Sequence, residues 1–359
     1  IIVDNNQQII AANMHKLSAS QIQITFDDTQ ATYPLVVDPL ISASSDIIFE
    51  LDQSNALLGG AMAVAGDVNN DGYKDVVIAA PGYNNITTSS GASIVVLGSD
   101  SGLDFNNRII LPNVNTGSRF AVSVAGAGDI NNDGYDDIIV GAYESSSVLS
   151  SSGVAYVYYG SNVGMTINNR TILPPTQLGE KLGKSVAAAG DVNNDGYADV
   201  MVGAGSFDNT NADSGAVFIY HGSSTGISTS FSTQLINNIA HSGFAFGSIA
   251  SAGDVDNDGY DDVIVGANAY ANGEAGEGGF YVYHGSASGI SAFAIGQGES
   301  NQVNANLGQS VIGVDVNGDG YSDVLAGAPQ YDNVQNAEGA VFVYYGGFGD
   351  ALEGEQADA

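Results

Sequence analysis

One nine-residue pattern, Asp-x-Asn/Asp-x-Asp-Gly-Tyr-x-Asp, occurs five times in this chain, with first aspartates 62, 62, 63 and 61 residues apart. Its oxygen-bearing positions are Asp67, Asn69, Asp71, Tyr73 and Asp75 in the first copy, and Asp129, Asn131, Asp133, Tyr135 and Asp137 in the second. They are Asp191, Asn193, Asp195, Tyr197 and Asp199 in the third, and Asp254, Asp256, Asp258, Tyr260 and Asp262 in the fourth. The fifth has Asp315, Asn317, Asp319, Tyr321 and Asp323. Hard cations such as calcium take about six to eight oxygen ligands. Side chains at positions 1, 3, 5 and 9 of a tight loop supply them, and the position-7 tyrosine contributes its main-chain carbonyl. A glycine after the third ligand lets the loop turn with positive φ. A lone Asp/Asn-rich stretch is as readily a solvated turn; five copies in register are not. About five calcium ions are expected.

An EF-hand would need a bidentate Glu at position 12 and flanking helices. Position 12 is Ile78, Val140, Val202, Val265 and Ala326, and a short apolar run such as Asp199-Val-Met-Val-Gly203 follows the loop. Each unit instead reads as four strands: a before the loop (183–190 in the third unit), b after it (199–204), c (215–222) and a weaker d of the kind at Arg170–Leu173. The continuous apolar b run fits a strand buried on both faces. Four antiparallel strands per repeat predict an all-β fold, a β-propeller of four-stranded antiparallel blades with five clear repeats. Six or seven blades follow if the N-terminal segment contributes. The run Asp46–Leu51 precedes the first a strand, and the last unit ends after its c strand near Tyr345. The early run is therefore expected to complete the last blade and cover its edge.

Residues 1–45 do not match the repeat and hold two strand-like runs, Gln21–Phe26 and Tyr33–Val37; they read as a degenerate blade or the remnant of a preceding domain. The propeller is expected over 46–347, with an acidic tail at 348–359. The chain begins at Ile1 without Met, which reads as a processed product or fragment.

Seven Lys and Arg stand against 40 Asp and Glu, a net charge of −33. That excludes the basic footprint of nucleic-acid binding and disfavours anionic membrane surfaces. Sixteen of the carboxylates stand at ligand positions 1, 3, 5 and 9 of the five loops, so the acidity is partly metal sites and partly surface. No apolar run is long enough to span a membrane, and no membrane insertion is expected. The absence of cysteine removes any disulfide framework. Loops of this type suit millimolar calcium, so an extracellular, secreted or cell-surface location is expected. The 48 glycines belong to many turns between short strands. Two glycosylation sequons occur, at Asn85 and Asn169.

The glycine-rich starts Phe246-Gly247 and Leu307-Gly308, the aspartate loops, and Gly327-Ala-Pro329 about ten residues on resemble the FG-GAP repeat. That repeat builds the β-propeller of integrin alpha subunits and many bacterial surface proteins. Phe-Gly is intact only at 246–247, with Gly60-Ala61, Phe120-Ala121 and Leu182-Gly183 elsewhere, and Gly-Ala-Pro only at 327–329. The resemblance covers about residues 46–347. It implies calcium in each loop, held by the residues named above, and an adhesive or recognition role toward a protein or glycan partner.

No catalytic motif is present: no Gly-x-Ser-x-Gly elbow, no His-Glu-x-x-His, no phosphate loop. His221 and His284 both end a c strand in Tyr-His-Gly, where other units have Tyr159 and Tyr345, and read as packing residues. The chain is therefore expected not to be an enzyme. The alternatives are a self-assembling structural surface protein and a glycan-active enzyme on the same scaffold. The b–c connections differ between units but carry an aromatic each, Tyr83, Tyr143, Phe207, Tyr270 and Tyr331. These either pin their loops or anchor a partner on the face opposite the metal loops.

Overall fold

The computed structural model describes residues 48–84, 90–113, 117–209, 213–236 and 246–347, together with five strands and Thr29 within the first 37 residues. It divides into two compact units, Ile1–Glu50 and Leu51–Ala359. In the first, β1 (Ile2–Val3) pairs antiparallel with β2 (Ile9–Ile10) and β5 (Val36–Val37), and β3 (Ala12–Ser18) forms a hairpin with β4 (Gln21–Phe26). The alternating run 21–26 is thus a strand. Of the run 33–37, Val36–Val37 is paired and the rest lies outside the described residues, as do the sequon at Asn85 and the tail 348–359.

The second unit holds five antiparallel meanders, each in chain order. The first sheet is β6 (Met62–Gly66), β7 (Asp75–Ala80), β8 (Ala92–Leu97) and β9 (Asp104–Pro112). The second is β10 (Phe120–Gly128), β11 (Asp137–Ala142), β12 (Val154–Tyr158) and β13 (Arg170–Leu173). The third is β14 (Leu182–Gly190), β15 (Asp199–Ala204), β16 (Ala216–Tyr220) and β17 (Thr233–Leu235). The fourth is β18 (Phe246–Gly253), β19 (Asp262–Ala267), β20 (Gly279–Tyr283) and β21 (Gly296–Glu299). The fifth has only β22 (Ser310–Val314), β23 (Asp323–Ala328) and β24 (Ala340–Tyr344). These are propeller-like blades, with a, b, c and d strands where the repeat places them. Every a–b connection is one of the aspartate loops.

Among the described residues the fifth sheet has no fourth strand, which bears on one expectation. Asp46 and Ile47 lie outside the described residues; residues 48–51 form no strand, and Ile48 is 82% exposed. The chain just beyond is committed to the first sheet instead. Gly59 N–H donates to Ala79 O at 2.9 Å, Gly82 N–H donates to Ala56 O at 3.0 Å, and Gln53 bonds the backbone of Asn84. Residues 53–60 thus form the connection entering the first a strand, and the described part of the expected closing run, 48–51, makes no strand with the last sheet.

Successive side chains of a strand point to opposite faces, which explains the unbroken apolar b runs. In β11, Ile138, Val140 and Ala142 enter the core shared with the first sheet, and Ile139 enters the core shared with the third. In β15, Val200, Val202 and Ala204 face back while Met201 faces forward. Four such cores join the five sheets in sequence. Each fully buried Val or Ile contributes roughly 1.5–3 kcal/mol, so the sheets hold one another. The outermost face shows the converse. Met62 occupies the place of the buried Val124, Val186, Ile249 and Val311 in the other a strands, yet is 65% exposed. No helix among the described residues is long and apolar enough to cross a membrane.

Candidate metal centre

The third loop shows how the pattern folds. Asp191 Oδ1 accepts the Asp195 N–H at 3.0 Å, and its Oδ2 accepts the Gly196 N–H at 2.9 Å. Asn193 Oδ1 accepts the Asp195 N–H at 3.1 Å, and Asp195 Oδ1 accepts the Tyr197 N–H at 3.1 Å. The side chains at positions 1, 3 and 5 are thereby turned toward one another before any ion is considered. The same bonds from positions 1 and 5 recur in all four other loops. Position 6 is glycine with φ between +87° and +93° throughout. Position 4 also lies in the left-handed region, with φ +55°, +54°, +53° and +58° at Asn70, Asn132, Asn194 and Asn257, and +76° at Gly318. Asparagine and glycine are the residues that tolerate it, and this role of position 4 was not anticipated from the sequence.

The position-9 aspartate does more than the pattern suggests. It is fully buried in every loop. Its Oδ2 accepts the position-2 N–H, of Val68, Ile130, Val192, Val255 and Val316, at 2.8–3.1 Å. Its Oδ1 accepts the N–H of the glycine just after the c strand, Gly98, Gly160, Gly222, Gly285 and Gly346, at 2.7–2.9 Å. One carboxylate thus ties loop, b strand and c strand together, and each oxygen keeps a lone pair for a cation. The glycine is required by space: a Cβ on Gly222 would lie 2.4 Å from Ala198 O and 2.5 Å from Ile130 O.

Backbone bonds also chain each loop to the next. The position-8 N–H of Asp136, Ala198, Asp261 and Ser322 donates to the position-1 carbonyl of the preceding loop, at 2.9–3.2 Å. Asp136 and Asp261 add a side-chain acceptor for the N–H of Asp67 and Asp191, at 2.7 and 2.8 Å. Ser161, Ser223, Ser286 and Gly347 donate to the position-2 carbonyl of the preceding loop at 3.0–3.1 Å.

The donor set fits a hard divalent cation. Carboxylates and amides converge, and among the described residues no Lys or Arg pairs with a carboxylate at position 1, 3, 5 or 9. Lys74 pairs with Asp136, a position-8 residue, at 3.3 Å. Burial, reinforced by the neighbouring aspartates of the same loop, pushes the carboxyls of Asp137, Asp199 and Asp262 up to about 7. Negative charge gathered without a counter-charge is what a bound cation relieves.

The fourth loop departs from the others in having Asp256 at position 3 in place of asparagine. Asp254, Asp256 and Asp258 bring ligand atoms within 4.8 Å of one another, and so do Asp256, Asp262 and His284. His284 is therefore not only a packing residue; it faces the loop. His221, its counterpart in the third sheet, lies 3.4 Å by Nδ1 from the amide nitrogen of Asn193.

At the opposite ends of the sheets the b–c aromatics pack inward. Phe207, Tyr270 and Tyr331 meet the c-strand rings of Phe218, Tyr281 and Phe342 edge-on at 5.7, 6.0 and 5.4 Å between centroids. Tyr270 is 6% exposed. They pin their loops, and the partner-anchor reading of these rings loses its ground. In the second sheet the matching place is held by Ser145, whose N–H and carbonyl make the bonds that Tyr83, Phe207, Tyr270 and Tyr331 make elsewhere; Tyr143 sits two residues earlier. A further device lay unread in the sequence. Gln177 donates by Nε2 to Asp208 O at 3.0 Å and accepts the Asp208 N–H at 2.7 Å, and Gln53 and Gln302 hold Asn84 and Asp332 in the same two-way manner. Each glutamine stands five residues before the start of a repeat, a spacing visible only once the repeat boundary is known.

Set beside known proteins, the chain matches the FG-GAP repeat at residues 58–96, 120–158, 182–220, 246–283 and 307–344. Each span runs from the entry of an a strand to the c strand of the same sheet. The chain is 32% identical to integrin alpha-3 of Cricetulus griseus over 162 residues, which cover 44% of this chain and 15% of that protein. It is 32% identical to integrin alpha-6 of Gallus gallus over 162 residues, covering 45% of this chain and 15% of that protein. With integrin alpha-4 of Xenopus laevis it shares 35% identity over 154 residues, covering 42% and 14%. The matched region is thus a small part of these relatives. Five matched repeats across more than half of the chain, each with its aspartate loop joining the first two strands of a sheet, make this chain a member of the FG-GAP repeat family.

Proposed function

We propose that the chain is a calcium-stabilised extracellular recognition module that binds a protein or glycan partner through its b–c and d–a loops. The observation that carries this reading is the contrast between the two ends of the sheets. At one end five near-identical loops are locked to one another by backbone bonds. At the other, loops of different sequence are held rigidly by inward aromatics and two-way glutamine bonds. Variable loops on a rigid scaffold are a common binding arrangement, and loops fixed in advance lose less entropy on binding. The similarity to integrin alpha chains supports an adhesive role outside the cell. Calcium would be held at positions 1, 3, 5 and 9 of each loop and by the position-7 carbonyl, where it supplies the positive charge the loops lack. The chain acts by binding rather than by catalysis.

Exposed loop-tip residues, not the pinned rings, are the contacts to test. Val148 and Leu149 in the second b–c loop and Val334 in the fifth are solvent-exposed. Beads coated with the protein are scored for attachment to a panel of cells and immobilised glycans. Val148→Asp with Leu149→Asp, or Val334→Asp, should cut attachment about tenfold with the melting temperature unchanged; replacing an apolar interface anchor costs about 1–2 kcal/mol. Val163→Asp, exposed in a c–d loop at the metal end, should leave attachment intact. Attachment lost in Val163→Asp and kept in the b–c variants would move the binding surface to the metal end.

A further inference from the structure

The fourth loop is chemically unlike its four siblings, and we propose that it is a mixed nitrogen–oxygen centre, formed with His284, that takes a zinc-like transition-series cation in preference to calcium. This rests on the reading of the aspartate loops as metal sites. What it adds is a different ion at one of them.

His284 ends the c strand of the fourth sheet, and its side chain is only 13% exposed. Its Nδ1 lies 3.3 Å from Asp256 Oδ2, whose residue is 14% exposed, and its Nε2 lies 3.9 Å from Asp262 Oδ2, which is buried. Zinc binds imidazole nitrogen at about 2.0–2.1 Å and carboxylate oxygen at about 2.0–2.2 Å, so two ligands at a tetrahedral angle stand about 3.4 Å apart. The Nδ1–Asp256 separation matches the bite of one shared ion. Asp256 also belongs to the Asp254–Asp256–Asp258 cluster, which could supply further carboxylate oxygens to an ion held at Asp256. Nε2 would then keep the ring proton on the side of Asp262, whose Oδ2 at 3.9 Å is a nearby carboxylate beyond hydrogen-bond distance.

The chain contains its own controls. The first, second, third and fifth loops have asparagine at position 3. In the third, where a histidine occupies the same strand end, His221 Nδ1 faces the Asn193 amide nitrogen at 3.4 Å, a group with no lone pair to offer a metal. The other strand ends nearest this place carry Tyr159 and Tyr345. Only the fourth loop has aspartate at all of positions 1, 3, 5 and 9, and only there does a position-3 carboxylate face an imidazole. An all-oxygen set suits calcium; adding nitrogen favours the later transition metals, whose affinity for such sites rises along the divalent series.

The same comparison supplies the test variants, because each restores a residue that folds at the equivalent place elsewhere in this chain. Zinc affinity is measured in calcium-saturated protein by competition with a chromophoric zinc chelator, and cobalt(II) absorption reports nitrogen in the coordination sphere. The wild type should bind one equivalent of zinc in the presence of millimolar calcium. Asp256→Asn and His284→Tyr should each weaken it about tenfold or more and change the cobalt spectrum, while calcium-dependent melting is retained. Zinc bound with wild-type affinity by His284→Tyr, or no zinc retained over calcium by the wild type, would overturn the proposal. A melting curve indifferent to calcium in every variant would instead overturn the reading of the loops as calcium sites.

Discussion

The two ends of the sheets obey different rules, although the same strands supply both. At the a–b end the side chains at positions 1, 3, 5 and 9 each accept a backbone N–H. Position 1 caps two N–H groups, position 9 joins three segments, and position 8 reaches the preceding loop. At the b–c end the repeated features are few: an aromatic at one turn position in four of the five sheets, its ring packed inward in three, a left-handed turn, and the glutamine clamp. Sequence freedom is therefore confined to the end where a few side chains, and not every second residue, define the loop path. A repeat fold of this kind separates the part that fixes its geometry from the part that can vary.

Removing the cation should give the largest effect that separates the ends. A ligand at a hundredfold excess over its Kd stabilises the folded state by about 2.7 kcal/mol per site, and several sites add. In a domain of this size each kcal/mol moves the melting temperature by about 2–4 °C. Excess chelator should therefore lower it by more than about 10 °C, with calcium restoring it. Limited proteolysis sharpens the comparison, since new cuts should appear in the a–b loops before the b–c loops. Equal cutting at both ends, or an unchanged melting curve with metal shown absent, would contradict the division.

Next in size is a substitution that no ion can rescue. In Gly222→Ala the new Cβ meets two main-chain oxygens, at 2.4 and 2.5 Å, and neither can move without breaking the contact between sheets. Overpacking of this kind costs about 1–3 kcal/mol, occasionally more. Ser150→Ala, an exposed change in a b–c loop, should stay within about 0.5 kcal/mol. Denaturant melts of the two variants side by side measure the difference, and similar midpoints would remove the claim that the metal end sets the geometry.

Asp199→Asn probes the same end more gently. The amide keeps the shape but turns a donor toward one of two N–H groups, Val192 or Gly222. A buried group left unsatisfied costs about 1–3 kcal/mol. The variant should melt earlier even in chelator, because the lost bond is structural and not only a ligand. If it differs from wild type only when calcium is present, position 9 is a ligand and nothing more.

How much of this was legible beforehand follows from the same contrast. The aspartate loops and the b strands could be read because local chemistry dictates them: alternate oxygens, a glycine where φ is positive, an apolar run for a strand buried on both faces. Position 9 was read as a candidate ligand, but its bond to Gly222 joins residues 23 apart and exists only after the c strand has folded back. Of the closing strand expected at Asp46–Leu51, the described part 48–51 forms no strand; a weak d-like run carries no information about which sheet it joins. The b–c aromatics could be found, but whether they point in or out depends on the c-strand rings beneath them. Placing Tyr143 in the second loop rested on its residue type; the backbone bonds assign that place to Ser145.

The smallest effect belongs to Gln177, and it tests whether the variable loops are held rigid in advance. Its amide makes two bonds to the backbone of Asp208, and Asp208 in turn accepts the N–H of Asp213 through its carboxylate, at 2.8 Å. Removing the amide therefore frees the third b–c loop at its first turn and touches none of the metal loops. Gln177 is only half-buried, so water replaces the lost partners, and the net cost should be about 1 kcal/mol for the pair of bonds. That is a shift of about 2–4 °C in the melting temperature. The sharper readout is hydrogen exchange. The amides of Asp208 and Asp213 should lose protection in Gln177→Ala while that of Gly196, bonded to Asp191, keeps it. If the loop contributes to partner binding, the variant should also bind more weakly without having lost a contact, because the loop must then be ordered on binding. Unchanged exchange at Asp208 would show that the inward ring of Phe207 alone holds the loop, and that the glutamine bonds are incidental to its rigidity.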